Sequence, residues 1–387
     1  MGRPRLALTL AVLGFTTGFM DPAFAGPITP GNIVVVRVGD GSTALSSDAA
    51  AVRLVEYTTS GAVVQTIDLP TITSGSQVRL TQSGSSLTEG GLNLSTNGQY
   101  LSLIGYDAAV GTATVATGSA IRVIGRIDLN ANVDTSTTIG VAYTAAGGSA
   151  RAVASDGTGF WSSGNSNTAG NTGVRYATGL GATTSTRLVN DNSRQIGIYN
   201  NTLFYTSSTA IFSVGSQPPP TSGTPTATSF GLTFTNAQSF FLLDRDGSVG
   251  ATGLNGLDTL YVIDGSNLKK FEWSGSAWTA RGTADAGGST PSLFGLTGYV
   301  NGSNVQMFAT QANLAGNDLY SFADTSGFGG TMSGTFTSLA TANANFAFRG
   351  VAYIAPVPEP AFVLPTIAVG IAGVRFLRRR LKGHSIG

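Results

Sequence analysis

The sequence predicts an all-β fold, on three observations. Short runs rich in β-branched and aromatic residues alternate with Gly, Ser, Asn and Asp turns along a chain of 387 residues that contains 53 glycines. Nothing between the two ends sustains the 3.6-residue apolar period of a helix. The runs also recur at a near-regular spacing, which points to one repeated β unit.

The N-terminus sets the context. Arg3 and Arg5 precede an apolar stretch from Leu6 to Phe19 and then Ala23-Phe24-Ala25. A basic start, a short apolar run and small residues two apart predict a secretory signal peptide over 1–25, with the mature chain beginning at Gly26. Export permits disulfides, yet the chain has no cysteine, so its stability must come from a core.

The body, 26–356, carries 14 Lys and Arg against 18 Asp and Glu. It therefore lacks the basic footprint of a nucleic-acid binder, and that class of partner is set aside.

Strands are expected at "NIVVVRV" (32–38), "AVRLVEYTT" (51–59), "GAVVQTIDL" (61–69), "QYLSLIGYD" (99–107), "AIRVIGRIDL" (120–129), "RQIGIYNNTLFYTS" (194–207) and "DTLYVIDG" (258–265). An aromatic strand followed by a small polar turn recurs in "QYLSLIGYD", "GTGFWSSGN", "NTLFYTSST", "DTLYVIDGS" and "NDLYSFADT", about 45 to 60 residues apart, the size of a four-stranded propeller blade. At roughly 45 residues per blade the body predicts seven blades, and six with longer loops also fits. "NIVVVRV" and "FAFRGVAYIA" (346–355) are expected to share one sheet and close the ring, which removes both open edges. Two β domains, or a parallel β-helix, are the alternative folds.

"GSQPPPTSGTP" (215–225) cannot sit in a central strand and reads as a loop between blades, or else as a linker between two domains. "KFEWSGSAWTARGT" (270–283) reads as a hairpin carrying Trp273 and Trp278. Their indole faces suit a sugar ring, or else aromatic packing between neighbouring blades.

Chemistry is bounded by inventory. The one histidine, His384, lies beyond the C-terminal basic cluster, so the body holds no Ser-His-Asp triad, no Cys-His pair and no typical zinc site. Paired carboxylates remain, and Asp156, Asp191, Asp246, Asp258, Asp264 and Asp324 all sit in turn-like contexts, where Asp commonly accepts hydrogen bonds from its own backbone. Asp244, Asp246 and Ser248 place oxygens at alternate positions, as a calcium loop does. Glycine, however, falls fourth and Asn255 stands where a bidentate Glu closes such a site, so a tight turn is the competing reading and no other cofactor is implied.

The C-terminus, 357–387, has three parts in a fixed order: Val357-Pro358-Glu359-Pro360, an apolar run from Ala361 to Val374, and Arg375, Arg378, Arg379, Arg380 and Lys382. The run is short for a bilayer core, about 21 Å against roughly 30 Å, and adequate once Arg375 snorkels. The basic flank would stay cytoplasmic with the body outside. This arrangement resembles the PEP-CTERM sorting signal. Over about the last 27 residues the resemblance implies an exosortase partner that cleaves at the Pro-Glu-Pro motif, the inner membrane as a way station, and delivery to the surface of a bacterium that exports extracellular polysaccharide and forms biofilms. The "FRGVAYIAPVPEP" junction also resembles family members whose propeller ends directly before the signal.

The expectation is thus an exported surface or matrix scaffold that binds polysaccharide or protein partners. The alternative is an extracellular carbohydrate-active hydrolase or lyase with two acids in the propeller funnel, and the two differ in whether acids or aromatics line that funnel.

Overall fold

The computed structural model describes residues 25–140, 142–247, 254–287 and 292–356. The chain divides into a unit ending at Ala355 and a second, Pro356–Gly387. The expected signal peptide (all but Ala25), the motif Val357-Pro358-Glu359-Pro360 and the basic cluster Arg375 to Lys382 lie outside the described residues. Among the described residues no helix is long and apolar enough to cross a membrane.

The first unit is all β. Blade 1 contributes β1 (Ile33–Val38), β3 (Val52–Tyr57) and β4 (Val63–Asp68), while β2 (Ala49–Ala50) and β5 (Gln82–Ser83) form a small accessory pair. Blade 2 is β6 (Asn93–Leu94), β7 (Tyr100–Tyr106), β8 (Arg122–Asp128) and β9 (Val133–Thr138). Blade 3 is β10 (Ser149–Ser155), β11 (Phe160–Asn165), β12 (Val174–Ala177) and β13 (Thr186–Val189). Blade 4 is β14 (Ile196–Tyr199), β15 (Thr202–Thr206), β16 (Ile211–Val214) and β17 (Ala227–Ser229). Blade 5 is β18 (Ala237–Leu243), β19 (Thr259–Asp264), β20 (Asn267–Trp273) and β21 (Trp278–Asp285). Blade 6 is β22 (Leu293–Asn301), β23 (Asn304–Gln311), β24 (Asp318–Asp324) and β25 (Thr337–Thr341). The last strand, β26 (Ala347–Tyr353), returns to blade 1, whose order is β26-β1-β3-β4.

This is a six-bladed propeller, closed as the sequence predicts: Ile33 pairs with Tyr353, Val35 with Val351 and Val38 with Ala347. The expected seventh blade is absent among the described residues, because the loops are longer than 45-residue blades allow. The 69–92 segment carries the accessory strand β5, and 215–225 and 325–336 are extended loops. The recurring aromatic strand is the second of its sheet in blades 2 to 5 (β7, β11, β15, β19), but in blade 6 it is the third, β24. The proline-rich stretch also moves: it joins β16 to β17 inside blade 4 rather than separating blades. The buried Trp161 of blade 3 anchors it, donating Nε1–H to the Pro220 carbonyl at 2.7 Å.

Alternation along the central strands explains why runs such as Ile33–Val38 are apolar on both faces but for Arg37. Val34 and Val36 face Leu101 and Leu103 of blade 2, whereas Ile33 and Val35 face Phe308 and Leu319 of blade 6. In blade 5, Leu260 and Val262 meet Phe204 of blade 4 while Tyr261 and Ile263 meet Val305 and Met307 of blade 6. Each of the six interfaces has its own apolar cluster of this kind, and each fully buried Val, Leu or Phe contributes about 1.5–3 kcal/mol.

A second device repeats nearer the axis. Innermost strands β10, β18, β22 and β26 each carry a register shift, a β-bulge that turns backbone groups toward the next blade. Thr206 and Thr310, on the second strands of blades 4 and 6, bridge there. Thr206 Oγ1 accepts Gln195 N–H at 3.1 Å and donates to Gln238 O at 2.7 Å; Thr310 Oγ1 accepts Gly295 N–H at 3.0 Å and donates to Arg349 O. Ser163 of blade 3 donates likewise to Arg194 O. Between blades 1 to 3 the bonds at this level include backbone pairs, Gly350 N–H to Gly90 O and Gly91 N–H to Arg151 O, both at 2.9 Å, beside the Ala150 N–H that the Tyr106 hydroxyl accepts at 3.2 Å. A Cβ at Gly350 would lie 2.4 Å from Gly90 O, so only glycine permits that approach.

Candidate binding site at the channel mouth

The innermost strands surround a channel, and its two ends differ because the residues at the two ends of those strands differ. Toward their C-terminal ends the strands line a cavity of about 210 Å3. Every blade contributes: Leu94 and Thr96, Ala154 and Ser155, Ile198 and Tyr199, Phe241, Thr297 and Tyr299, and Tyr353 with Ala355. Beneath it the channel narrows to a void of about 10 Å3 where Gly91, Gly295 and Gly350 bring the strands together. The cavity is therefore a cup above a narrow waist.

One wall of the cup is aromatic. Tyr299 and Tyr353 stack with ring centroids 4.3 Å apart at 21°, and Phe241 stands edge-on to Tyr199 at 6.4 Å. Opposite, Asn93 uses its amide to hold Val153 O and Ile196 O at 2.7 and 3.0 Å, which leaves its carbonyl oxygen to the cavity. Thr297 Oγ1 accepts the Tyr353 N–H at 3.1 Å and keeps its own proton to offer. Burial, and then the neighbouring Tyr299, push the Tyr353 phenol above its ordinary value, so it stays neutral. Among the described residues, none of those lining the cavity is Asp, Glu, Lys, Arg or His.

The acids singled out in the sequence are elsewhere, and each holds backbone or a neighbouring side chain. Asp156 accepts Thr158 N–H and Gly159 N–H, both at 2.8 Å; Asp191 accepts the Tyr205 hydroxyl at 3.0 Å. Asp264 accepts Thr235 and Asn236 N–H and pairs with Lys269 at 2.6 Å. Asp324 accepts the Tyr261 hydroxyl at 2.6 Å and lies 3.1 Å from the buried Lys270 ammonium, which also sits 3.1 Å from Glu272. Burial pushes Asp324 up, but bonds from Tyr261, Ser326 and Lys270 outweigh it and hold the carboxyl below its ordinary value.

Asp244 and Asp246 are brought together, with Asp258 as the third member, their carboxylate oxygens within 4.8 Å of one another. Ser248, the expected third oxygen, lies outside the described residues. Asn255 is turned away, exchanging amide hydrogen bonds with Asn200 across the blade boundary at 2.9 Å each way. The buried Asp258 accepts N–H groups of Arg245 and Asp246 at 2.9 to 3.0 Å, so it closes the loop as a turn. Burial raises its carboxyl, and the Asp246 carboxyl beside it adds to the rise. Three clustered oxygens suit a calcium ion in donor type, and the capped turn accounts for the same geometry.

Trp273 and Trp278 face each other across the β20–β21 hairpin. Trp278 stacks on Phe230 of blade 4 at 5.3 Å and 3°, which covers one indole face, and Trp273 meets its edge at 5.8 Å. The mouth aromatics were missed in the sequence because they sit at the ends of innermost strands, whereas the aromatic repeat marked second strands. A readable signal existed in "ARAV" (150–153) and "FRGV" (348–351), which place an arginine at the bulge of two innermost strands, and in "SRQI" (193–196), which places one just before a third.

No protein-family model matches the chain, and no curated protein matches it. Among solved structures it is similar to a functionally unknown protein from Desulfotomaculum acetoxidans, with 15% identity, a TM-score of 0.42, and coverage of 84% of this chain and 90% of that one. It is also similar to the PQQ-bound aldose sugar dehydrogenase from Streptomyces coelicolor, with 11% identity, a TM-score of 0.41, and coverage of 84% and 100%. A third is the C-terminal WD40 domain of Sif2, with 8% identity, a TM-score of 0.35, and coverage of 84% and 73%.

Proposed function

We propose that this chain is an exported surface or matrix protein, sorted by an exosortase-type transpeptidase through Val357-Pro358-Glu359-Pro360, whose propeller binds extracellular polysaccharide at the channel mouth. The cup lined by Tyr199, Phe241, Tyr299 and Tyr353 supports the binding half of this reading. Tyrosines combine a flat apolar face for a pyranose with a hydroxyl for its edge. The alternative, a hydrolase or lyase, requires two carboxyl groups converging on bound sugar, and no acid is among the described residues that line the cup. The sorting half is supported by the order of motif, apolar run and basic cluster in the sequence.

Mass spectrometry of the protein recovered from cell envelope and medium tests the sorting half. A chain beginning near Gly26 and ending between Pro358 and Pro360 is the expected result, and one that retains Arg378 to Gly387 contradicts it. Co-sedimentation with the polysaccharide of the producing cell tests the binding half: Tyr299→Ala/Tyr353→Ala is expected to lose at least tenfold in affinity while the protein stays folded.

A further inference from the structure

We infer that the mouth cup takes the end of an uncharged saccharide chain, one residue deep, and turns away acidic sugars. The inference rests on the polysaccharide-binding reading and names the ligand class of that same site. Two features of the cup carry it.

The first is charge. With no Asp, Glu, Lys, Arg or His among the described residues of its lining, the cup offers there no counter-charge and no charged donor to a carboxylate or sulfate. A uronic acid entering it would lose its water without a replacement ion pair. The Gly-rich waist offers no rescue from below, since the arginines of the channel's other end are already engaged. Arg151 holds Asn192 and Ser193, and Arg349 holds Gly84 and Asn313. What the cup does offer is neutral. The hydroxyls of Tyr299, Tyr353 and Thr96 have no hydrogen-bond partner among the described residues, and the Asn93 carbonyl oxygen and Thr297 hydroxyl keep one free function each. Alternating donors and acceptors around stacked rings match the equatorial hydroxyls and apolar face of a neutral hexose.

The second is depth. The cup holds about 210 Å3 and narrows beneath to a void of about 10 Å3. That is room for one hexose and not for a chain threaded through the channel, so recognition falls on a chain terminus and further sugars lie outside in solvent. Affinity should then level off once the terminal residue and its neighbour are present.

The test is a glycan array of gluco-, galacto- and manno-oligomers of two to six residues beside uronate oligomers of matched length, read with the full-length chain and with Tyr353→Ala and Trp278→Ala variants. The expected result is binding to at least one neutral series, flat with length beyond two residues. Matched uronates should be at least 100-fold weaker, and at least tenfold should be lost in Tyr353→Ala with none lost in Trp278→Ala. Uronates binding as well as neutral oligomers, or affinity climbing steadily to six residues, overturns the inference. Binding that survives Tyr353→Ala overturns it while leaving the polysaccharide reading standing at another surface. Absence of binding to every oligomer and to the cell's own polysaccharide overturns both.

Discussion

The two ends of the central channel are built from the same six strands and use their polar groups in opposite ways. At the N-terminal ends Arg151 and Arg349, both at bulges, and Arg194, just before β14, serve as carbonyl clamps. Arg194, for example, holds Asn236 Oδ1 at 2.6 Å and Ala237 O at 2.8 Å. At the C-terminal ends the phenols of Tyr299 and Tyr353 have no partner among the described residues. The difference teaches where a substitution should be felt: polar groups that the fold consumes govern stability, and polar groups it leaves over govern binding.

The largest stability effect is expected at a site that shares the consumed character. Lys270, fully buried between blades 5 and 6, sits 3.1 Å from both Glu272 and Asp324 and donates to Gly327 O at 2.7 Å. Lys270→Ala leaves two buried carboxylates facing each other, and denaturant unfolding should show a loss of about 3–5 kcal/mol. Next come the hydroxyl bridges. Thr310→Val strips a partner from Gly295 N–H and Arg349 O, Thr206→Val does the same to Gln195 N–H and Gln238 O, and each should cost about 2–4 kcal/mol. A loss at one and not the other would break the equivalence of the blade junctions.

Smaller effects follow from titration. Burial pushes Glu89 up, against hydrogen bonds from Tyr106, Ser149 and Ser83. The folded protein therefore holds the Glu89 proton to higher pH than the unfolded chain does. Its contribution is fully favourable below the ordinary glutamate value of about 4.3 and declines as pH rises through the raised folded value. Glu89→Gln should flatten that decline in a series of melting curves. At the mouth the described lining residues include no Asp, Glu, His, Lys or Arg, so saccharide affinity should stay constant between about pH 5 and 9.

The architecture was legible because period-two alternation buried on both faces leaves a plain trace, as in Ile33–Val38 and Thr259–Asp264. Ring closure by Ala347–Tyr353 was legible because the first and last strands needed each other. The blade count was not, since loop length such as 215–225 inside blade 4 has no fixed signature and mimics a boundary. The mouth was not legible either: convergence of Tyr199, Phe241, Tyr299 and Tyr353 is set by the ring, and these residues are far apart in sequence. Asp258, which joins Asp244 and Asp246, was singled out as an acid but not as their neighbour. Its place is fixed by the Leu243–Thr259 pairing of β18 with β19, which folds the loop back on itself.

The proposal that the channel mouth is the binding surface has a direct test. Calorimetric titration of the intact protein with the producing cell's polysaccharide, for wild type, Tyr299→Ala/Tyr353→Ala and Trp273→Ala/Trp278→Ala, tests it most directly. The account predicts that the tyrosine pair alone loses at least tenfold in affinity with its melting temperature within about 3 °C of wild type. Equal affinity in the tyrosine variant, with binding lost in the tryptophan variant, would contradict it and move the site to the β20–β21 hairpin.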